Sequence, residues 1–230
     1  MMREVRLLVL SEGKHEIGNT QSELTVGGDL PALPTIIQRV LGCPKEVRFT
    51  CRPFRTMGRA RMRGRPVPES AGAKGFASKT KQSIEVARRE RFDAVIILID
   101  RDRRPDAERL GALQRGRDEM THTTYPQCAV GTAVETFDAW MIVDGRAIGL
   151  AGGDASKSHL EPENLDGKPE RPDHPKTRAL ELFGKADVSD KYACVARELS
   201  LELLERGCPK GFCPFSKELE QRVKPLFPQA

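Results

Sequence analysis

An α/β fold, built on a mostly parallel sheet flanked by helices and carrying a small C-terminal helical extension, is predicted by three observations. Residues 5–10 (V-R-L-L-V-L) and 92–100 (F-D-A-V-I-I-L-I-D) are short apolar runs, the second rich in β-branched side chains. Both have the length and composition of strands buried on two faces. Segments of helical periodicity alternate with them, as right-handed βαβ units require. At 230 residues, the chain is also long enough to enclose a substantial core.

The remaining elements follow in order. Residues 47–51 (V-R-F-T-C) alternate and read as a more exposed strand or an edge, and residues 127–134 as a weaker strand. A helix over 30–41 places Leu33, Ile36, Ile37 and Val40 on one side. Residues 79–91 read as a basic helix with Ile84 and Ala87 as a thin apolar stripe, and 105–120 as a helix opening on Pro105. Residues 52–75 lack apolar periodicity and read as a long basic loop inserted in the domain. Residues 1–150 then form the α/β domain, and 151–175, with four prolines, form a linker. Residues 176–230 form a helical extension packed on that domain. It has helices over 177–183, over 190–204 (Ala193, Ala196, Leu199, Leu203 on one face) and over 216–223, the last opening on a capping-box-like S-K-E-L-E.

Composition narrows the function classes. No stretch approaches the roughly 20 apolar residues of a membrane span, and the N-terminus opens on a strand pattern rather than a signal-peptide layout. A cytoplasmic protein without a membrane partner is expected. The six cysteines form no C-x-x-C pair and read as free, mostly buried thiols rather than zinc ligands. Charge is unevenly spread. Residues 48–91 hold thirteen Lys/Arg against three acids, a local +10 in a chain whose total is +5. Such a block on an otherwise acidic chain is the electrostatic footprint of a polyanion partner, DNA or RNA.

Glu12 stands at the carboxyl end of the first strand and is followed by Gly13; Asp100 and Asp102 stand at the end of the second, in I-D-R-D. In open α/β sheets ligands bind at that edge. Two carboxylates at i and i+2 can share a cation, and a third from a neighbouring strand completes an oxygen site suited to Mg²⁺ or Mn²⁺. Lys14 is placed to meet a phosphate beside that metal. Lys74, in G-A-K-G, and Lys79 and Lys81 at the expected helix start are the other phosphate contacts. His15 lies beside the acids, and His122, His159 and His174 fall in loops without ligand spacing. The absence of G-x-x-x-x-G-K-[ST] argues against ATP hydrolysis by this chain, and no G-x-S-x-G or Cys/His nucleophile pattern occurs.

A strand ending in Glu-Gly and a later strand ending in Asp-x-Asp resemble the Toprim domain of topoisomerases, primases and OLD-family nucleases. More narrowly, four motifs resemble, in order, the Toprim-like family catalogued as domain of unknown function 4276. They are S-E-G-K-H-E at 11–16, L-I-D-R-D at 98–102, V-E-T-F-D-A-W-M-I-V-D at 134–144 and C-P-K-G-F-C-P-F at 208–215. The resemblance implies Mg²⁺ on Asp100 and Asp102, with Glu12 in acid/base chemistry or metal binding. It also implies an AAA- or ABC-type ATPase partner and a place in bacterial defence. Glu12 and Asp100 are about ninety residues apart, farther than in simple Toprim domains, and the basic insertion accounts for the excess. Glu135 matches a Glu-x-x-x-Ala-Trp pattern of the family, so it is a candidate fourth acid or second-metal ligand, or else a helix N-terminal acid favoured by the dipole. Trp140 reads as core packing. Two functions follow: a Mg²⁺-dependent nuclease with Glu12, Asp100, Asp102 and Glu135 at its centre, or a non-catalytic nucleic-acid-binding adaptor of an ATPase complex. With only Tyr125 and Tyr192 available, strand passage is not expected.

Overall fold

The computed structural model describes residues 4–18, 23–26, 28–43, 47–58, 73–101, 106–120, 126–157, 174–185 and 187–227. Asp102, His122, His159 and most of the expected 151–175 linker lie outside them. Five strands form one sheet: β1 (Val5–Ser11), β2 (Glu23–Thr25), β3 (Val47–Pro53), β4 (Ala94–Asp100) and β5 (Gln127–Ala133). Their order is β2-β3-β1-β4-β5, with β3, β1, β4 and β5 parallel and β2 antiparallel at the edge. The helices are α1 (Lys14–Ile17), α2 (Ala32–Leu41), α3 (Ala73–Arg89), α4 (Asp106–Asp118), α5 (Asp138–Met141), α6 (Gly145–Leu150), α7 (Pro175–Phe183), α8 (Ser189–Glu198), α9 (Leu201–Gly207) and α10 (Phe212–Arg222). This is the expected Rossmann-like α/β architecture. Among the described residues no helix is long and apolar enough to cross a membrane.

The period-two alternation of strand side chains sorts the core into two layers. Leu7 and Val9 of β1 pack on one face with Ile36 and Ile37 of α2 and with Trp140, Val195, Phe212 and Phe215 from the later helices. Leu8 and Leu10 pack on the other with Ile84 and Ala87 of α3 and Leu113 of α4. The chain leaves β1 toward β3 with α2 on the first face, then returns through α3 to β4 with its helix on the second. The direction of winding therefore reverses between β1 and β4.

Four expectations change. Residues 47–51 are not an edge, because the three-residue β2 pairs along the outer side of β3. The basic helix starts at Ala73 rather than 79. Its added turns are held by Phe76, stacked on Phe54 with ring centroids 6.1 Å apart, and by the buried Thr80, whose hydroxyl donates back to the Phe76 carbonyl. Lys79 and Lys81 therefore sit inside α3, not at its N-terminus, and the helix-end argument for phosphate binding does not apply to them. The helix expected over 190–204 is two helices, since Leu199 is extended and Ser200 caps α9. Asp144 sets that break: its carboxylate accepts from the Ser200 N–H at 2.8 Å while capping α6 through Arg146 and Ala147. The last helix starts at Phe212, leaving Ser216 in its interior, because Phe212 and Phe215 insert against Trp140 at 5.3 and 5.8 Å. Trp140 is fully buried, as expected of a core residue.

The C-terminal helices are locked onto α2 and onto β5. Arg39 of α2 donates to the Ala196 and Leu199 carbonyls at 2.6 Å each, satisfying the end of α8. Gly131 of β5 lets α10 approach so closely that an added Cβ would lie 2.5 Å from the Phe215 ring. Gly131→Ala is expected to destabilise the fold by about 1–3 kcal/mol through overpacking, read as a lower denaturant midpoint at unchanged slope.

Candidate functional site

The carboxyl edge of the sheet gathers the chain just beyond β1, β3, β4 and β5, and the reversal of winding leaves a crevice between β1 and β4. Glu12 and Asp100 meet there. The Asp100 main-chain N–H donates to Glu12 Oε2 at 3.3 Å. The Asp100 carboxylate turns toward the end of β5, where Oδ1 accepts from the Phe137 N–H at 2.9 Å. Arg109 reaches in from α4, donates Nη1 to the Asp100 carbonyl and lies 3.6 Å from Glu12 Oε2. Its guanidinium stacks over Phe76 at 5.3 Å from the ring centroid and is 11% exposed. One arginine thus links both strand ends.

A second acid lies beneath. Glu16, in α1, is buried, and its carboxyl is pushed well above the usual range, chiefly by burial and then by the negative charge of Asp100, with Asp138 and Glu12 adding to it. Ser11 Oγ contacts Glu16 Oε2 and lies 2.8 Å from the Leu98 carbonyl oxygen. Asp138, the first residue of α5, accepts from the buried Tyr192 hydroxyl. Burial first, and the Asp138 charge second, hold that phenol well above its ordinary value, so it stays protonated. Glu12, Glu16, Asp100 and Asp138 therefore lie close enough that the other three raise the Glu16 carboxyl.

Glu135 does not begin a helix. It follows β5 in the left-handed region, with φ of +60°, and is 1% exposed. A non-glycine residue there costs of order 1–3 kcal/mol and persists where surrounding contacts enforce it. His174, which caps α7, supplies such a contact: its Nε2 is 2.7 Å from Glu135 Oε2. Because His174 Nδ1 accepts from the Lys176 N–H, the neutral ring carries its proton on Nε2 and donates to Glu135. His174 precedes α7 outside regular structure, as expected of a loop histidine, and its contact with Glu135 was not foreseen. Residues 135 and 174 are too far apart in sequence for a motif to connect them.

The basic residues divide. Lys14 Nζ is 3.1 Å from Asp187 in an exposed pair, and His15 Nδ1 is 3.0 Å from the Ser189 hydroxyl. Lys74 falls in the first turn of α3. Lys81 pairs with Glu119, Arg48 with Glu4 and Glu23, Arg52 with Glu90, and Arg88 with Glu85. Much of the described part of the basic segment is thus neutralised within the fold. Arg109, Glu16, Asp138 and Tyr192 were not singled out as site residues by the sequence. Glu16 and Asp138 at least fall inside the quoted motifs, whereas nothing near Arg109 or Tyr192 signals their approach. All six cysteines are free, and burial pushes the Cys43, Cys51 and Cys128 thiols up to about 12, far from a reactive thiolate.

Among the described residues no group of three His, Cys, Asp or Glu side chains is arranged around one ion. Glu12 and Asp100 supply hard oxygen donors of the kind Mg²⁺ takes, and the third ligand expected from the sequence, Asp102, lies outside the described residues. Fold and site together define an open α/β protein with acids gathered at its topological switch point. The chain matches no family model, no curated protein and no solved structure.

The raised Glu16 carboxyl has a measurable consequence. A carboxyl raised in the folded state stabilises fully below its unfolded pKa, and that contribution is lost as pH rises toward the raised value. Glu16→Gln, which mimics the protonated form, is expected to gain on the wild type as pH rises above about 4.5, at up to about 1.4 kcal/mol per pH unit. Parallel pH–stability curves for the two proteins would remove the assignment.

Proposed function

We propose that this chain is a Mg²⁺- or Mn²⁺-dependent phosphodiesterase of the Toprim type, cutting DNA or RNA in the crevice between β1 and β4. We place it beside a partner ATPase, in keeping with the family that its motifs resemble. The observation that carries the proposal is the contact of Glu12 with Asp100. The Asp100 main-chain N–H donates to the Glu12 carboxylate, which brings two acids 88 residues apart to the strand ends where winding reverses, the position at which open α/β sheets bind ligands.

Held by Glu12, Asp100 and Asp102, a divalent cation would polarise a phosphoryl oxygen and lower the pKa of an attacking water. The chain's own groups prepare that chemistry. Arg109 and the Asp100 N–H fix Glu12 from one side, and the Phe137 N–H fixes the rotation of Asp100. Burial and the neighbouring acids push Glu16 toward its neutral form, which limits the negative charge that an incoming phosphate meets. Glu135, paired with His174 at the end of the neighbouring strand, holds a carboxylate–imidazole pair suited to moving a proton at Nε2.

One observation favours the adaptor reading as well. Asp100 and Glu12 already serve the fold, one accepting from the Phe137 main chain and the other held by Arg109. An acid pair could stay for these contacts in a subunit that binds nucleic acid without cutting it.

Asp100→Asn, which keeps an acceptor for Phe137, and Glu12→Gln should each reduce Mg²⁺- or Mn²⁺-stimulated cleavage of a labelled oligonucleotide by about 100-fold or more, with melting temperatures near wild type. Cleavage that persists in both variants, or in EDTA, would refute the catalytic assignment. Binding without turnover in either cation selects the adaptor.

A further inference from the structure

We infer that Arg55 and Lys14 form a pocket beside Glu12 that takes a single phosphoryl group of a nucleic acid. The substrate class rests on the phosphodiester reading above; the pocket itself does not. It has a volume of about 110 Å³ and is lined by Glu12, Gly13, Lys14, Gly18, Pro53 and Arg55. That space is ample for one tetrahedral oxyanion. It opens at the carboxyl ends of β1 and β3, next to the crevice that holds Glu12 and Asp100.

Three features direct an anion there. First, Arg55 is exposed, and unlike Arg48, Arg52, Lys81 and Arg88 it pairs with no acid among the described residues. Second, its backbone is anchored on both sides. Arg55 lies in the 3₁₀ turn Phe54–Gly58, where Phe54 and Met57 are buried and Phe54 stacks on Phe76. The Thr56 hydroxyl closes the turn by donating to the Pro53 carbonyl at 2.7 Å. A guanidinium held this way keeps its place at the end of β3, and its planar fork suits two phosphate oxygens. Third, the one acid in the wall is already matched. Arg109 lies 3.6 Å from Glu12 Oε2 from the α4 side, so the open side presents Arg55 and Lys14. The exposed pair of Lys14 with Asp187 is of the kind that contributes little, and Lys14 can exchange that partner for a phosphate.

The phosphoryl group could be an internal phosphodiester or a terminal monoester. Fluorescence anisotropy in EDTA, with labelled oligonucleotides bearing a 5′-hydroxyl or a 5′-phosphate, separates them. Wild type, Arg55→Ala, Arg55→Lys and Arg89→Ala are titrated across a KCl series; Arg89 is an exposed cation at the far end of α3. Arg55→Ala is expected to weaken binding about tenfold and to reduce the slope of log K against log[KCl] by about one. Arg55→Lys should retain part of the affinity, and Arg89→Ala should match wild type. Loss on both oligonucleotides identifies a backbone phosphate, and loss on the 5′-phosphorylated one alone identifies a terminal phosphate. Unchanged affinity and slope in Arg55→Ala, an equal loss in Arg89→Ala, or no binding by wild type would overturn the pocket. Because nothing turns over in EDTA, a protein that loses binding with Arg55 yet cleaves under no condition keeps the pocket and refutes the nuclease.

Discussion

The position of β1 is the constraint on which the rest of the structure depends. It is paired in parallel along both edges, to β3 and to β4, and covered on both faces, so Leu7 to Leu10 are fully buried. Between Leu7 and Leu10 such a strand has no room for a polar side chain. The first polar groups after the apolar run, Ser11 and Glu12, therefore emerge at the carboxyl edge, and the neighbouring β4 delivers Asp100 to the same place. The site is a product of strand order: with β4 moved to the other side of β3, Glu12 and Asp100 would be a full strand apart.

Gathering carboxyl groups at one edge creates an electrostatic problem, and each acid is met differently. Asp100 is turned onto a main-chain donor, Glu12 faces a guanidinium, Asp138 accepts from a phenol, and Glu16 is pushed toward its neutral form by burial. These solutions differ in how readily they yield. A carboxylate facing a partly buried arginine can meet a cation or a phosphate by small movements of long side chains. An acid pushed toward neutrality beneath it serves as structure. The two roles come from similar side chains only four positions apart, and depth below the sheet edge separates them.

The sequence made much of this legible because the informative residues repeat. The runs in β1 and β4 are unbroken, and α2 carries Leu33, Ile36 and Ile37 at helical spacing, so sheet, core and the Glu12–Asp100 pair could all be placed. Elsewhere tertiary contacts overrode local signals. The strand β2 is three residues, Glu-Leu-Thr, too short for any periodicity. The middle of α3 buries Thr80 and Ser83, residues that read as polar surface. Leu199 continues a helical stripe, but the helix stops there because Asp144 binds the N–H of Ser200, 56 residues further along the chain. Arg109 and His174 reach the edge from helices whose local sequence says nothing of it, and position 102 lies outside the described residues.

The fit of α10 against β5 also bears on how the protein can be made. Phe212, Phe215, Leu219 and Val223 belong to the same apolar layer as Leu7 and Val9, and Gly131 leaves the hollow that Phe215 fills. A nascent chain that has completed the sheet must keep that hydrophobic face open to water until some eighty further residues have left the ribosome. The boundary that composition suggests near residue 150 is therefore not a place where the molecule can be divided. A shortened version would present an uncovered sheet surface to chaperones and to other copies of itself, and the edge bearing Glu12 and Asp100 would lose the support beneath it.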